Sequence, residues 1–317
     1  MASISMTESM LYLFLFHFPE QNLILFVFSD YTNGLVHFLS KSDAKSKKLA
    51  YVENGVVVMK VDDSTPGSRL KNGKRDAVRI SSKKRYNRGL FVLDLAAMPY
   101  GKAGTYRGSF RFLLDPHCCL LCQVWPAYWT VGSDWPGDGE IDIIEGINMN
   151  TKNQYTIHTT PGCSIDTSSS KLASNIGSKD CNAGDGHNGC AFFDPDTNSY
   201  GEGLNNAGGG VFVMLWESNA IKIWRFPPNN VPSDLKNQVP NPDSWDDSYL
   251  RGHLGGSSSC DVGKYFKQHS ITFDITLCGD WAGSAYQGGN EACARAVGDA
   301  SNFKNAAWRV SSLQVYQ

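Results

Sequence analysis

Gly139-Glu140-Ile141-Asp142-Ile143-Ile144-Glu145-Gly146 sets three acids among three β-branched apolar residues, between two glycines. Isoleucine suits a pleated, half-buried backbone, so the run reads as a strand with acids on one face and isoleucines on the other. Strict alternation conflicts with this. It groups residues 140, 142 and 144 and turns Glu145 toward the core, where an unpaired carboxylate is costly. One extra residue at Ile143-Ile144, a β-bulge, returns all three acids to one face. Bulges recur beside active sites because they re-aim a side chain.

Outward from this segment the pattern is strand, turn, strand. Val56 to Val61 and Leu90 to Leu95 are apolar runs of strand length. The clearest alternation is Ser270 to Leu277, with Ile271, Phe273, Ile275 and Leu277 on one face and polar residues on the other. Val211 to Trp216 and Ile221 to Phe226 flank a short loop and read as a hairpin. Trp308 to Tyr316 suits a closing strand. No stretch sustains helical periodicity with both caps, and 31 glycines supply many turns. The expected architecture is all-β, a sandwich of two antiparallel sheets with long polar loops.

Composition narrows the function. The 29 basic and 31 acidic residues nearly balance, and the basic clusters Lys45 to Lys48 and Lys83 to Arg85 are too small for a nucleic-acid footprint. Nucleic acid is therefore not expected as a partner. Gly184 to Gly189 spells G-x-G-x-x-G, but it follows no strand and opens no helix, so its glycines punctuate a loop between Cys181 and Cys190. Asp194, Asp196 and Asn198 begin like a calcium loop, yet Ser199 stands where glycine is needed, and Asx-turns are the better reading. Neither G-x-S-x-G nor H-E-x-x-H occurs. No metal site and no cofactor is expected.

Three acids on one face repel and raise one another's pKa. In a cleft that becomes useful, because one carboxyl stays protonated near neutrality while another stays ionised. Double-displacement glycoside hydrolysis needs such a pair, with carboxyl groups about 5–5.5 Å apart. On a flat strand Glu140 and Glu145 would lie roughly 13 Å apart at Cα, so curvature and two long side chains must close the gap. A metal-binding acidic face or a solvated edge strand are the bland alternatives. Trp125, Tyr128, Trp129 and Trp135 precede the acids, and 8 tryptophans are present in all. Indoles stack on the apolar faces of sugars, although tryptophan more commonly serves the core. Trp135 and Trp281, in Gly/Pro/Asp-rich surroundings, read as loop-borne platforms.

Nine cysteines imply an oxidising compartment and an odd thiol. Cys118, Cys119 and Cys122 cluster, while Cys163, Cys181, Cys190, Cys260, Cys278 and Cys293 are spread through loop-rich sequence as structural disulfides would be. Spacing does not fix their pairing. Residues 1–29 read as a poorly formed leader or a wrongly assigned start. Two apolar clusters there are interrupted by polar residues, which argues against a spanning helix and so against a membrane partner. Residues 30–317 read as a single domain.

The runs Trp125-Pro126-Ala127-Tyr128-Trp129, Asp134-Trp135-Pro136 and Gly139 to Gly146 together resemble glycoside hydrolase family 16, and within it the fungal laminarinase-type endo-1,3(4)-β-glucanases. His158 to Cys163, Ser199-Tyr200-Gly201, Gly208 to Gly210 and Cys278 to Gly283 extend the resemblance. It implies a β-jelly-roll with a concave substrate cleft and a retaining mechanism on β-1,3 or mixed β-1,3(1,4)-glucans. Glu140 would be the nucleophile, Glu145 the general acid/base and Asp142 the group that tunes them. His158 would line the site beside the reacting sugar, and Trp129, Trp135 and Trp281 would flank the glucosyl subsites. The partner implied is a β-glucan, met by a secreted monomer. Transglycosylation and a non-catalytic glucan-binding jelly roll are the alternatives.

The sequence departs from the family at one place. A segment like Met98-Pro99-Tyr100-Gly101 normally runs through a short Cys-containing link into Trp-Pro-Ala, whereas residues 102–123, with the clustered cysteines, intervene here. That insert reads as sequence foreign to the mature enzyme, such as translated intron, or else as a genuine extra strand at Gly104 to Phe112.

Overall fold

The computed structural model describes residues 23–25, 30–101, 123–168, 172–184, 186–256 and 258–317. Residues 102–122 of the 102–123 insert, with its three cysteines, and all of residues 1–29 except 23–25 lie outside the described residues.

Two large sheets dominate. The first has spatial order β1 (Leu23–Leu25), β6 (Ile80–Ser82), β16 (Ser270–Leu277), β8 (Val124–Val131), β9 (Glu140–Glu145), β10 (Gln154–His158), β12 (Cys190–Phe193) and β11 (Asn175–Ile176). The second runs β15 (Leu250–Gly255), β14 (Ala220–Phe226), β13 (Gly210–Trp216), β7 (Gly89–Ala97), β17 (Ala307–Tyr316), β4 (Val56–Lys60) and β3 (Ala50–Glu53). Every pairing within them is antiparallel, and β2 (Val36–Phe38) and β5 (Arg75–Ala77) form a small parallel pair beside them.

Alternation places the core. On β16, Ile271, Phe273, Ile275 and Leu277 are buried in the main apolar cluster with Ile141, Ile143 and Ile144 of β9 and Phe91, Leu93 and Leu95 of β7. That layer lies between the sheets. Full burial of each isoleucine contributes roughly 1.5–3 kcal/mol. The other face of the second sheet carries its own cluster, Leu90, Val92, Val211, Val213, Trp224 and Phe226, capped by Leu235 and Trp245. Leu235 of that cap comes from the Pro-rich stretch Pro227 to Pro242.

Charge also joins the sheets. Asp194, after β12, accepts from Tyr155 of β10 at 2.9 Å, from Arg225 of β14 at 2.7 Å and from Arg251 of β15 at 3.1 Å. Asp196 N donates to Asp194 Oδ1, the Asx-turn expected there. Disulfides link Cys163–Cys260, Cys181–Cys190 and Cys278–Cys293, so the six dispersed cysteines all pair. Helices are short. The longest described, Gly289–Val297, starts on glycines with no capping side chain, which is why the sequence gives it no helical signature.

Candidate active site

The acid strand is central, with β8 and β10 on its flanks. On the β8 side Glu140, Asp142 and Glu145 stand opposite Val131, Trp129 and Ala127, with the register slipping between Trp129 and Tyr128. On the β10 side they stand opposite His158, Thr156 and Gln154. Ile143 and Ile144 therefore face the single residue Tyr155, the bulge anticipated from the spacing. All three acids share one face of the sheet, and Ile141, Ile143 and Ile144 are fully buried. Both glycines that bound the strand are sterically required. Gly139 has φ +78°, and a Cβ there would fall 2.5 Å from Phe266; a Cβ at Gly146 would fall 2.8 Å from the Tyr200 ring.

Each glutamate takes an indole donor. Trp135 Nε1 donates to Glu140 Oε2 at 2.5 Å, from a loop ring that is half exposed. Trp125 Nε1 donates to Glu145 Oε1 at 3.0 Å, and Thr156 Oγ1 donates to Glu145 Oε2 at 2.9 Å. Trp281, in the short helix Gly279–Ala282 after β16, meets Trp125 edge-on at 5.4 Å. Trp129 lies half-buried opposite Asp142, its ring covered by the Arg79 guanidinium at 5.0 Å. Arg79 in turn approaches Asp274 at 3.6 Å. His158 Nε2 stands 3.4 Å from Asp142 Oδ2.

Burial and mutual repulsion govern the protons. Desolvation raises Asp142 well above the ordinary carboxylate range, Glu140 and Glu145 raise it further, and His158 opposes them. Glu145 is also raised, by burial first, against the His158 charge and its two donors. Burial alone would lower His158, but Asp142 and the two glutamates outweigh it and bring the imidazole to about 9. Glu140, Asp142 and His158 each present an atom within 4.8 Å of the others, so the same cluster also has the spacing of a metal site.

Every site residue expected from the sequence thus falls on this face or its border. Sequence reasoning missed the donors Trp125 and Thr156. Each shares strand parity with a residue already singled out, Trp129 and His158, and that parity was the available signal. It also missed Arg79 and Asp274, for which no local signal exists.

Fold and site together define a two-sheet β-sandwich whose outer sheet face carries clustered carboxylates bordered by indoles. The chain belongs to glycoside hydrolase family 16: residues 25–112 and 105–316 match the XgeA-like catalytic GH16 domain. It is 35% identical over 296 residues to a probable glycosidase of Schizosaccharomyces pombe, covering 91% of this chain and 64% of that protein. An endo-1,3(4)-β-glucanase of Arthroderma benhamiae is 33% identical over 301 residues, covering 91% and 60%. The chain therefore spans less than two thirds of the length of these relatives. Laminarinase 16A from Phanerochaete chrysosporium, solved with β-glucans, superposes with a TM-score of 0.80 at 31% identity, covering 93% of this chain and 95% of that one. An elongating family 16 β-1,3-glucosyltransferase superposes at 0.79 with 32% identity and the same coverage. The fold is the jelly roll of these structures.

Proposed function

We propose that this chain is a retaining endo-β-glucanase acting on β-1,3- or mixed β-1,3(1,4)-glucans. The observation that carries the reading is the bulge, which sets Glu140 and Glu145 on one face with a separate indole donor on each. Glu140 attacks the anomeric carbon while Glu145, whose protonated form burial favours, gives its proton to the leaving oxygen. Glu145 then takes a proton from water as that water displaces Glu140. Asp142, between them and beside His158, holds the proton balance of the pair. Trp129, Trp135 and Trp281 flank the glucosyl units, and His158 lines the site. Three disulfides support an extracellular, oxidising location. Among the described residues no helix is long and apolar enough to cross a membrane.

The test is release of reducing ends from laminarin and lichenan, with cellulose as control. Wild type cleaves the first two, and Glu140→Gln and Glu145→Gln each lose about 10²–10⁴-fold. Unchanged turnover in both variants would sink the assignment. Binding without release in the wild type would make the chain a glucan-holding module. Transglycosylation is the second reading, favoured by the likeness to the elongating glucosyltransferase. Growth of oligosaccharide length at high substrate concentration identifies it.

A further inference from the structure

Asn153, the residue immediately before β10, is fully buried, and its carboxamide lies across the bulge. Its Oδ1 accepts the Glu145 N–H at 3.1 Å, and its Nδ2 donates to the Ile143 carbonyl at 2.9 Å. A bulge in a strand paired on both sides leaves backbone groups without ladder partners. One carboxamide offers both an acceptor and a donor, as a peptide unit does, and here it fills the gap. Asn153 is itself fixed on three counts. Its N–H donates to Ser199 Oγ at 2.9 Å, Ser199 Oγ donates to the Asp196 carbonyl at 2.6 Å, and its own carbonyl accepts the Asp194 N–H at 3.0 Å. Asp194 is the acid gripped by Arg225 and Arg251. The outward aim of Glu145 is thereby tied to the charged group that joins the two sheets.

We propose that Asn153 is a positioning residue that pins the bulge and so sets the Glu145 carboxyl relative to Glu140. It touches no reacting atom and acts through the Glu145 backbone. Without it, the strand is free to slide one residue toward regular alternation, which turns Glu145 toward the isoleucine layer. The inference rests on Glu145 being the acid/base of the proposed reaction.

The experiment compares wild type, Asn153→Ala, Asn153→Asp and Glu145→Gln on two substrates. One is laminarin. The other is the dinitrophenyl β-glycoside of a β-1,3-linked glucose disaccharide, whose leaving group departs without a proton. Each is run with and without azide. Azide attacks the anomeric carbon of the glycosyl-enzyme, the bond to Glu140 breaks with its electron pair returning to that carboxylate, and a β-glycosyl azide leaves. No base is needed. Asn153→Ala is expected to lose about 10²-fold in kcat on laminarin with KM little changed. It should form the glycosyl-enzyme normally from the aryl glycoside, respond to azide as Glu145→Gln does, and shift the pH profile. Asn153→Asp keeps the acceptor for the Glu145 N–H and should lose less.

A lower melting temperature with a wild-type pH profile and no azide response would reduce Asn153 to a structural residue and overturn the proposal. If the alanine variant does not fold, the same azide comparison on Asn153→Asp decides. If Glu145→Gln keeps laminarin activity and ignores azide, the function reading itself fails. If Glu145→Gln is rescued and neither Asn153 variant is, only the positioning role falls.

Discussion

Glu145 sits between opposing demands. Burial favours its protonated form, which a general acid needs, while the Trp125 and Thr156 donors favour the anion, which the later base step needs. Trp125→Phe removes one donor and keeps a ring against Trp281. The anion then loses a hydrogen bond, the Glu145 pKa rises further, and the protonated form persists to higher pH. The basic limb of the kcat/KM profile on laminarin should move up, by on the order of one pH unit. A downward shift would show that Trp125 acts on another group. Residue-scale chemistry of this kind was half legible in advance. The acids announce themselves by type and spacing, but which side chain points a hydrogen at which oxygen depends on residues brought in from β8 and β10.

At the scale of elements, the register of β8, β9 and β16 aims the site, and His269 pins that register. Its ring lies tilted against Trp216 with centroids 4.8 Å apart, its Nδ1 lies 2.8 Å from Thr130 Oγ1, and its Nε2 lies 2.8 Å from the Asp138 carbonyl. A carbonyl only accepts, so Nε2 carries the proton and Nδ1 accepts from Thr130. Burial lowers the imidazole to about 4. Between pH 6.5 and 4 the unfolded chain binds a proton that the folded chain refuses. The stability His269 confers is thus complete above about 6.5 and lost as pH falls through 4, roughly 3 kcal/mol in all. Urea unfolding of wild type and His269→Gln should show the wild-type advantage shrinking by about that amount between pH 7 and 4. Parallel stability curves would refute the link. Asp142, Glu145 and Asp274, all raised by burial, act with the opposite sign in both proteins and cancel in the comparison.

Across the whole molecule, the sheets are held by an apolar layer, by the Asp194 ion group and by covalent ties. Cys163 follows β10 in the first sheet and Cys260 follows β15 in the second, at a sequence separation of 97. Cys181 and Cys190 are separated by 9. On chain-entropy grounds, replacing the long-range pair by alanines should lower the unfolding free energy by about 4.7 kcal/mol, against about 2.6 kcal/mol for the short one. Calorimetry on the two double variants checks the order. Equal losses would mean that unfolded-chain entropy does not govern this fold. Neither the pairing of these cysteines nor the partners of Asp194 was legible, because spacing along a chain carries no information about which loops meet.

The sequence by itself determined the sandwich, six of the seventeen described strands and the acid strand with its bulge, because alternation of apolar and polar residues has only one pleated solution that keeps three carboxylates out of the core. Only the tertiary structure decided how the bulge is held, which donors each glutamate receives and where the Pro-rich stretch goes. Those depend on long-range neighbours such as Asn153, Trp125 and Leu235. Their side chains meet the site or the second sheet through folding, and nothing in their local sequence sets their partners.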